Sequence, residues 1–212
     1  MVGTFLVVEG PDGVGKSTLV HRLADRLRGS GREVLDVREP GGTPIAEAAR
    51  DAVLDPELNA APLAELFLML AARADLVEKV IRPALESGNV VLCDRYELST
   101  WAYQVKGRML PSDSVLAANR LATGGLIPDL TIVLDAPEEK LEQRMRAAGK
   151  PLDRIEQAGA EVRRRITDAF REAEGPGIVH VDASGRADEV EMRAWDLVRK
   201  CLERRDGVKQ VQ

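Results

Sequence analysis

The sequence has few cysteines, no long apolar run and no excess of positive charge. Cys93 and Cys201 are the two cysteines in 212 residues, and both fall in apolar patterns. We therefore expect buried free thiols, no disulfide framework and a cytoplasmic protein. No stretch approaches the roughly 20 apolar residues needed to span a bilayer. The net charge of -5 argues against a general electrostatic grip on other macromolecules. We thus expect small-molecule partners, with no nucleic acid and no membrane.

One glycine-rich stretch near the N-terminus carries a phosphate-binding signature. An apolar run at 5–8 precedes it and a helical apolar pattern follows it, which is the strand, turn and helix setting of a phosphate loop. Glycines let several N–H groups point at one anion, and the positive end of the helix dipole faces the same anion. The loop covers residues 10–17, and the candidate ATP-binding residues are Gly10, Pro11, Asp12, Gly13, Val14, Gly15, Lys16, Ser17 and Thr18. In this motif the lysine reaches the β- and γ-phosphates and the serine hydroxyl binds Mg²⁺.

Strand and helix patterns alternate along the chain. Apolar strand patterns at 4–8, 34–37, 90–93, 130–134 and 178–181 are separated by amphipathic helix patterns. This alternation predicts an α/β fold, with a five-stranded parallel sheet covered by helices on both faces, in a single domain over residues 1–212. Ligands bind beyond the carboxyl ends of parallel strands, so the residues that follow the strands should meet at one crevice.

A phosphate loop is compatible with a small-molecule kinase, a GTPase switch or an ATP-driven motor. The chain has no N-K-x-D sequence, which a guanine-binding switch needs, and its D-x-x-G match at 182–185 is loose and late. A motor usually has a longer domain with further arginine-bearing segments. A kinase needs an acceptor site and a mobile basic cover, for which residues 94–104 and 144–165 are candidates. Polar and charged helix faces of this kind are also commonly just solvated.

Six segments give the chain a specific resemblance to one family. In order and spacing they match the bacterial thymidylate kinases, over about residues 4–157: Glu9–Thr18, Arg38–Thr43, Asp94–Tyr96, Ser99–Gln104, Pro128–Asp135 and Asp153–Glu156. The resemblance implies the fold of the P-loop nucleoside monophosphate kinases, with a short basic lid at about 144–157. It also implies transfer of the γ-phosphoryl group of ATP to dTMP with Mg²⁺, by a homodimer packed through long helices. The alternatives are another nucleoside monophosphate or small-molecule kinase, or a regulatory module that binds nucleotide without turnover.

The resemblance also implies roles for individual residues. Catalysis would depend on Lys16, Arg95, Arg146 and Arg154, and Arg144, Arg146 and Arg154 would close over the ATP phosphates. Ser17 and Asp94 would organise Mg²⁺. The acceptor nucleotide would be bound by Asp12, Glu39, Pro40, Met69, Arg73, Arg95, Ser99, Thr100, Tyr103 and Gln104. Within this set Arg95 would hold the dTMP phosphate, Arg73 would read a thymine carbonyl, and the bond between Glu39 and Pro40 would be cis.

Two positions depart from the family pattern. Met69 stands where family members commonly place a phenylalanine that stacks on thymine, although a thioether can also pack against a ring. Ala148 stands where close relatives carry an arginine, and Lys150 would replace it with poorer geometry than a guanidinium fork. The first departure bears on base selectivity and the second on the lid.

Overall fold

A parallel sheet forms the centre of the molecule. The computed structural model describes residues 3–55, 57–149 and 159–209. The strands are β1 (Thr4–Glu9), β2 (Val34–Arg38), β3 (Val90–Asp94), β4 (Leu130–Asp135) and β5 (Ile178–Asp182). All neighbouring strands are parallel, and they form a five-stranded sheet in the order β2-β3-β1-β4-β5. The predicted sheet is therefore confirmed, and the phosphate loop leaves its central strand.

Helices connect the strands. They are α1 (Lys16–Gly29), α2 (Pro44–Leu54), α3 (Pro62–Leu76), α4 (Arg82–Glu86), α5 (Glu97–Thr100), α6 (Ser112–Thr123), α7 (Glu138–Ala148), α8 (Ala160–Arg171) and α9 (Ala187–Lys209). In the described parts of the chain, none of them is both long enough and apolar enough to cross a membrane.

Both faces of the sheet are buried against helices. Leu6 and Val8 belong to an apolar cluster that includes Leu23 of α1 and residues of α9. Phe5 and Val7 belong to a cluster on the opposite face, with residues that precede β3. Because successive side chains of a strand point to opposite faces, a strand buried on both faces has a continuous apolar run, as β1 does.

Two helical regions contain π-helical turns that the sequence patterns did not predict. The long helix expected over 62–85 runs as α3, a first π-helical segment at Val77–Ile81, and α4. The helix expected from about Ser99 begins at Glu97 and changes into a second π-helical segment at Trp101–Gly107. A π turn bonds residue i to i+5, so one extra residue enters the turn without breaking the apolar face.

The expected lid falls partly outside the described residues. Of the range 144–157, the structure describes the end of α7 and Gly149, which closes that helix in a left-handed conformation. Lys150 and Arg154 lie outside the described residues.

Candidate active site

Glycines shape the loop between β1 and α1. Gly10, Gly13 and Gly15 have φ values of 139°, 76° and 104°, which side-chain-bearing residues rarely adopt. A Cβ on Gly10 would also lie 2.4 Å from the carbonyl oxygen of Leu134, so the close approach of β4 requires glycine here. Gly15 is the N-cap of α1, and the unbonded N–H groups of the first helical turn open toward the loop. The loop is thus shaped to bind an anion.

Lys16 lies within this loop, with 7% of its surface exposed. Its Nζ donates a 2.9 Å hydrogen bond to the carbonyl oxygen of Pro11 and lies 4.0 Å from Oδ1 of Asp12. Burial, with the nearby charge of Arg95, lowers the pKa of Lys16 to about 8. The cation is therefore held at the mouth of the loop, where it is poorly compensated and would gain from an added phosphate.

Ser17 and Asp94 bring two oxygens together beside the loop. The Ser17 hydroxyl donates to Oδ2 of Asp94 over 2.5 Å, linking the first turn of α1 to the end of β3. Hydroxyl and carboxylate oxygens are suitable Mg²⁺ ligands. Among the described residues, no group of three or more His, Cys, Asp and Glu side chains could hold a metal by itself. Ser17 and Asp94 could therefore supply two oxygen ligands to a Mg²⁺ ion.

Arg95 and Asp12 form the second charged centre. Arg95 has a φ of 74°, an uncommon value for a non-glycine residue, which turns its side chain from the end of β3 back toward the phosphate loop. Its guanidinium pairs with Asp12, and it donates to the carbonyl oxygen of Gly10 over 3.1 Å and to the Ser99 hydroxyl over 3.0 Å. The Tyr103 hydroxyl donates to Asp12 over 2.7 Å. Burial would raise the pKa of the Asp12 carboxyl, but neighbouring cations outweigh it and hold that pKa below its usual range.

Glu9 is not among the predicted site residues, but it fixes the turn that carries Arg95. Glu9 is fully buried at the end of β1 and accepts hydrogen bonds from the backbone N–H groups of Tyr96 and Ser99 and from the Ser99 hydroxyl, at 2.7, 3.1 and 2.7 Å. Burial raises the pKa of its carboxyl, and the charge of Arg95 opposes that shift. A glutamate that ends an apolar strand directly before the glycine motif is the signal that would have identified it.

Arg73 is a buried structural centre, with 1% of its surface exposed. Its Nε donates to Oε2 of Glu39 at 2.7 Å, and Nη2 lies 2.6 Å from the same oxygen in an ion pair. Nη1 donates to Thr100 and Asn119 at 2.6 and 2.5 Å. Nη2 also donates to the carbonyl oxygen of Tyr96 over 2.8 Å. Every nitrogen of the guanidinium therefore has a partner within the chain. For Arg73 to read a base carbonyl, as expected, the base must displace one of these partners.

The other expected acceptor residues are placed around the same region. The peptide bond between Glu39 and Pro40 is cis, as expected. Met69 faces inward from α3 and is largely buried. Gln104 is buried and bonded to Glu65, so it belongs to a polar network rather than to a solvated helix face.

A cavity of about 930 Å³ opens at the carboxyl edge of the sheet. Its lining includes the phosphate loop, Arg38 and Arg95 from the side of β2 and β3, and Arg144 and Arg186 from the side of β4 and β5. Cations thus stand on both sides of the loop within one cavity. Of the expected acceptor residues, Asp12, Glu39 and Arg95 line the cavity. The others are not among its lining residues: Pro40, Met69, Arg73, Ser99, Thr100, Tyr103 and Gln104.

The described lid arginines differ in position. Arg144 lines the cavity and donates to the carbonyl oxygens of Val14, Ala183 and Gly185 at 3.1, 2.9 and 3.3 Å. The side chain of Arg146 is 81% exposed and pairs with Glu142 at 2.9 Å. Arg146 is not among the cavity-lining residues, so the structure does not bring this expected catalytic residue to the loop.

Sequence comparisons with known proteins point to one family. The family model described as thymidylate kinase matches residues 8–194. A thymidylate kinase of Deinococcus radiodurans is 44% identical over 199 residues, covering 92% of this chain and 96% of the relative. Thymidylate kinases of Pseudomonas fluorescens (strain Pf-5) and Synechococcus sp. (strain JA-3-3Ab) are 46% and 45% identical, covering 98% and 93% of this chain and 100% and 96% of the relatives.

Proposed function

The chain belongs to the thymidylate kinase family, and from this premise we propose how its cavity transfers the γ-phosphoryl group of ATP to dTMP. The activity is that of a kinase whose products are dTDP and ADP. Donor and acceptor both carry phosphates, which repel each other. The main task of the protein is therefore to bring two anions into line and to neutralise the charge between them.

One observation carries the proposal: the Asp12 carboxylate lies between two cations from different elements. Its Oδ1 is paired with Arg95 from the end of β3 and lies 4.0 Å from Nζ of Lys16 in the loop. Two cations that share one carboxylate without nucleotide would face two phosphate groups with nucleotide bound. Lys16 would then stabilise the transferring phosphoryl group, and Arg95 would hold the acceptor phosphate.

The same site indicates which residues would bind Mg²⁺ and whether the reaction needs a general base. Ser17 and Asp94 would hold Mg²⁺, which supplies charge neutralisation at the ATP phosphates when bound. The dTMP phosphate has a second pKa of about 6 by analogy with phosphoserine, so near neutral pH it reacts as an anion. The acceptor oxygen therefore needs no general base, and the chain has to supply positioning and charge.

The proposed protein is a cytoplasmic homodimer. Large apolar side chains are exposed on α2, α3 and α6, namely Ile45, Leu63, Phe67, Leu116 and Leu121. A homodimer packed through α3 would cover such side chains. Light scattering after gel filtration should give twice the 23.1 kDa chain mass, and a monomer would refute the dimer. The two cysteines are free and buried, as is common in proteins of the reducing cytoplasm.

The function is tested by ATP consumption in the presence of Mg²⁺ with dTMP, dUMP, dCMP or AMP as acceptor. We expect strong preference for dTMP. Equal rates with dCMP or AMP would refute the acceptor assignment and favour another nucleoside monophosphate kinase. ATP binding without turnover on any acceptor would favour a regulatory module.

A further inference from the structure

A polar network joins α3 to the second π-helical segment, apart from the residues that would contact the phosphates. Glu65 is fully buried on α3. Arg108 donates to it through a fork, with Nη2 at 2.9 Å from Oε2 and Nε at 3.2 Å from both carboxylate oxygens. Gln104 donates from Nε2 to Oε1 of Glu65 over 2.9 Å. A buried carboxylate persists only when it is paired and hydrogen-bonded, and this one is both.

The network lies at one end of the region where the acceptor base is proposed to bind. On α3, Glu65 and Arg73 are separated by two helical turns, and Met69 stands midway between them on the same inward face. Opposite α3, Thr100 contacts Arg73 and Gln104 contacts Glu65. Met69, the residue at the expected stacking position, therefore lies between two hydrogen-bonded pairs. One is Arg73 with Thr100 and the other is Glu65 with Gln104.

Glu65 determines which way the Gln104 amide faces. The amide has an N–H₂ group that donates and an oxygen that accepts, and the carboxylate can bind only the donor. Within the part of the chain that the structure describes, the amide oxygen Oε1 is buried and has no hydrogen-bond partner. A buried acceptor without a partner is destabilising unless a ligand supplies a donor. Thymine and uracil present an N–H at ring position 3, whereas cytosine presents an acceptor there.

We propose that Glu65, clamped by Arg108, is a positioning residue that orients Gln104 so that its amide oxygen selects a base with a ring N–H. This inference rests on the proposed function, since it names the device that gives that function its base preference. The carboxylate does not touch the base. It acts through Gln104, and the hydrogen bonds from Arg108 hold it in place.

The test compares Glu65→Gln with the matched control Glu203→Gln. Glu203 also forms a 2.9 Å pair with an arginine, Arg199, but on the exposed surface of α9. In Glu65→Gln, an amide replaces the carboxylate and presents an N–H to Arg108 or to Gln104, so the orientation of Gln104 is no longer fixed. One hydrogen bond corresponds to about tenfold in affinity. We expect KM for dTMP and for dUMP to rise together by about tenfold with kcat little changed, while kcat/KM for dCMP does not fall.

The outcomes separate this inference from the proposed function. If the wild-type chain does not phosphorylate dTMP, the function itself fails, whatever the variants do. If Glu65→Gln keeps the wild-type KM and base preference, as Glu203→Gln should, the positioning role is wrong. An equal loss on dTMP, dUMP and dCMP, with a matching loss of thermal stability, would also refute it, because it would show a purely structural residue. Arg108→Lys keeps the charge without the fork and should show the same base pattern more weakly. If Glu65→Gln does not fold, a wild-type base preference in Arg108→Lys overturns the proposal.

Discussion

The rate of the enzyme should fall as the pH rises through about 8, because Lys16 loses its proton there. Burial and the charge of Arg95 lower the pKa of Lys16 to about 8. Its cationic form binds and stabilises phosphate. The cationic fraction falls from roughly nine-tenths at pH 7 to roughly one-tenth at pH 9, so kcat/KM for ATP should fall by about tenfold over that interval.

The fall of kcat with rising pH should begin at a higher pH than the fall of kcat/KM. Bound ATP places negative charge beside Lys16, which raises its pKa in the complex. Other groups should not mask the effect. The phosphates of both substrates titrate near pH 6 by analogy with phosphoserine, and burial raises the pKa of the Cys93 thiol and of the Tyr103 hydroxyl well above their usual values.

The assay is initial-rate kinetics between pH 6.5 and 9.5 at constant ionic strength, with Lys16→Arg as the matched variant. Arginine stays charged over this range, so the variant should be slower, but its kcat/KM should not fall near pH 8. If the wild-type kcat/KM stayed constant up to pH 9.5, the fall could not be assigned to Lys16. The same fall near pH 8 in Lys16→Arg would also refute that assignment.

Four further changes test other parts of the structure. Lys16→Ala should lower kcat by about 100-fold or more at unchanged melting temperature, since it removes charge at the transition state; an unchanged kcat would show that the loop is not catalytic. Met69→Phe should lower or preserve KM for dTMP, and a large rise would place the stacking position elsewhere. Ser17→Ala should raise the Mg²⁺ concentration needed for half-maximal rate, and an unchanged requirement would remove Ser17 from the metal site. Leu23→Ala, at a fully buried core position, should lower the free energy of unfolding by about 2–5 kcal/mol in urea titration; a loss below 1 kcal/mol would contradict the packing.

The parts of the molecule with local signals could be predicted from the sequence. The sheet follows from continuous apolar runs such as that of β1, and the phosphate loop follows from glycines at fixed spacing beside Lys16 and Ser17. In both cases the residues that carry the signal are neighbours in the chain.

The parts that depend on distant partners could not be predicted. Glu9 has a local signal in its place between an apolar strand and the glycine motif, but that signal does not show that it holds Tyr96 and Ser99. Glu65 is a single acid in an apolar helix pattern, and its contacts with Gln104 and Arg108 show only when the facing helix is in place. Arg73 is similar, because a sequence motif does not reveal that every nitrogen of its guanidinium already has a partner. Arg146 is a different case, because its partner Glu142 is local, one turn earlier on α7, and the pair lies on the surface.

The position of Arg108 depends on how the second π-helical segment is wound. Trp101–Gly107 holds more residues per turn than an α-helix would. If the same residues were wound as an ordinary α-helix, everything after them would be rotated by about 100°, the angle that one residue contributes. Arg108 would then leave Glu65 even though every residue of the network was still present. Deleting one residue from the segment would have the opposite result, because α-helical winding would then keep Arg108 in register with Glu65.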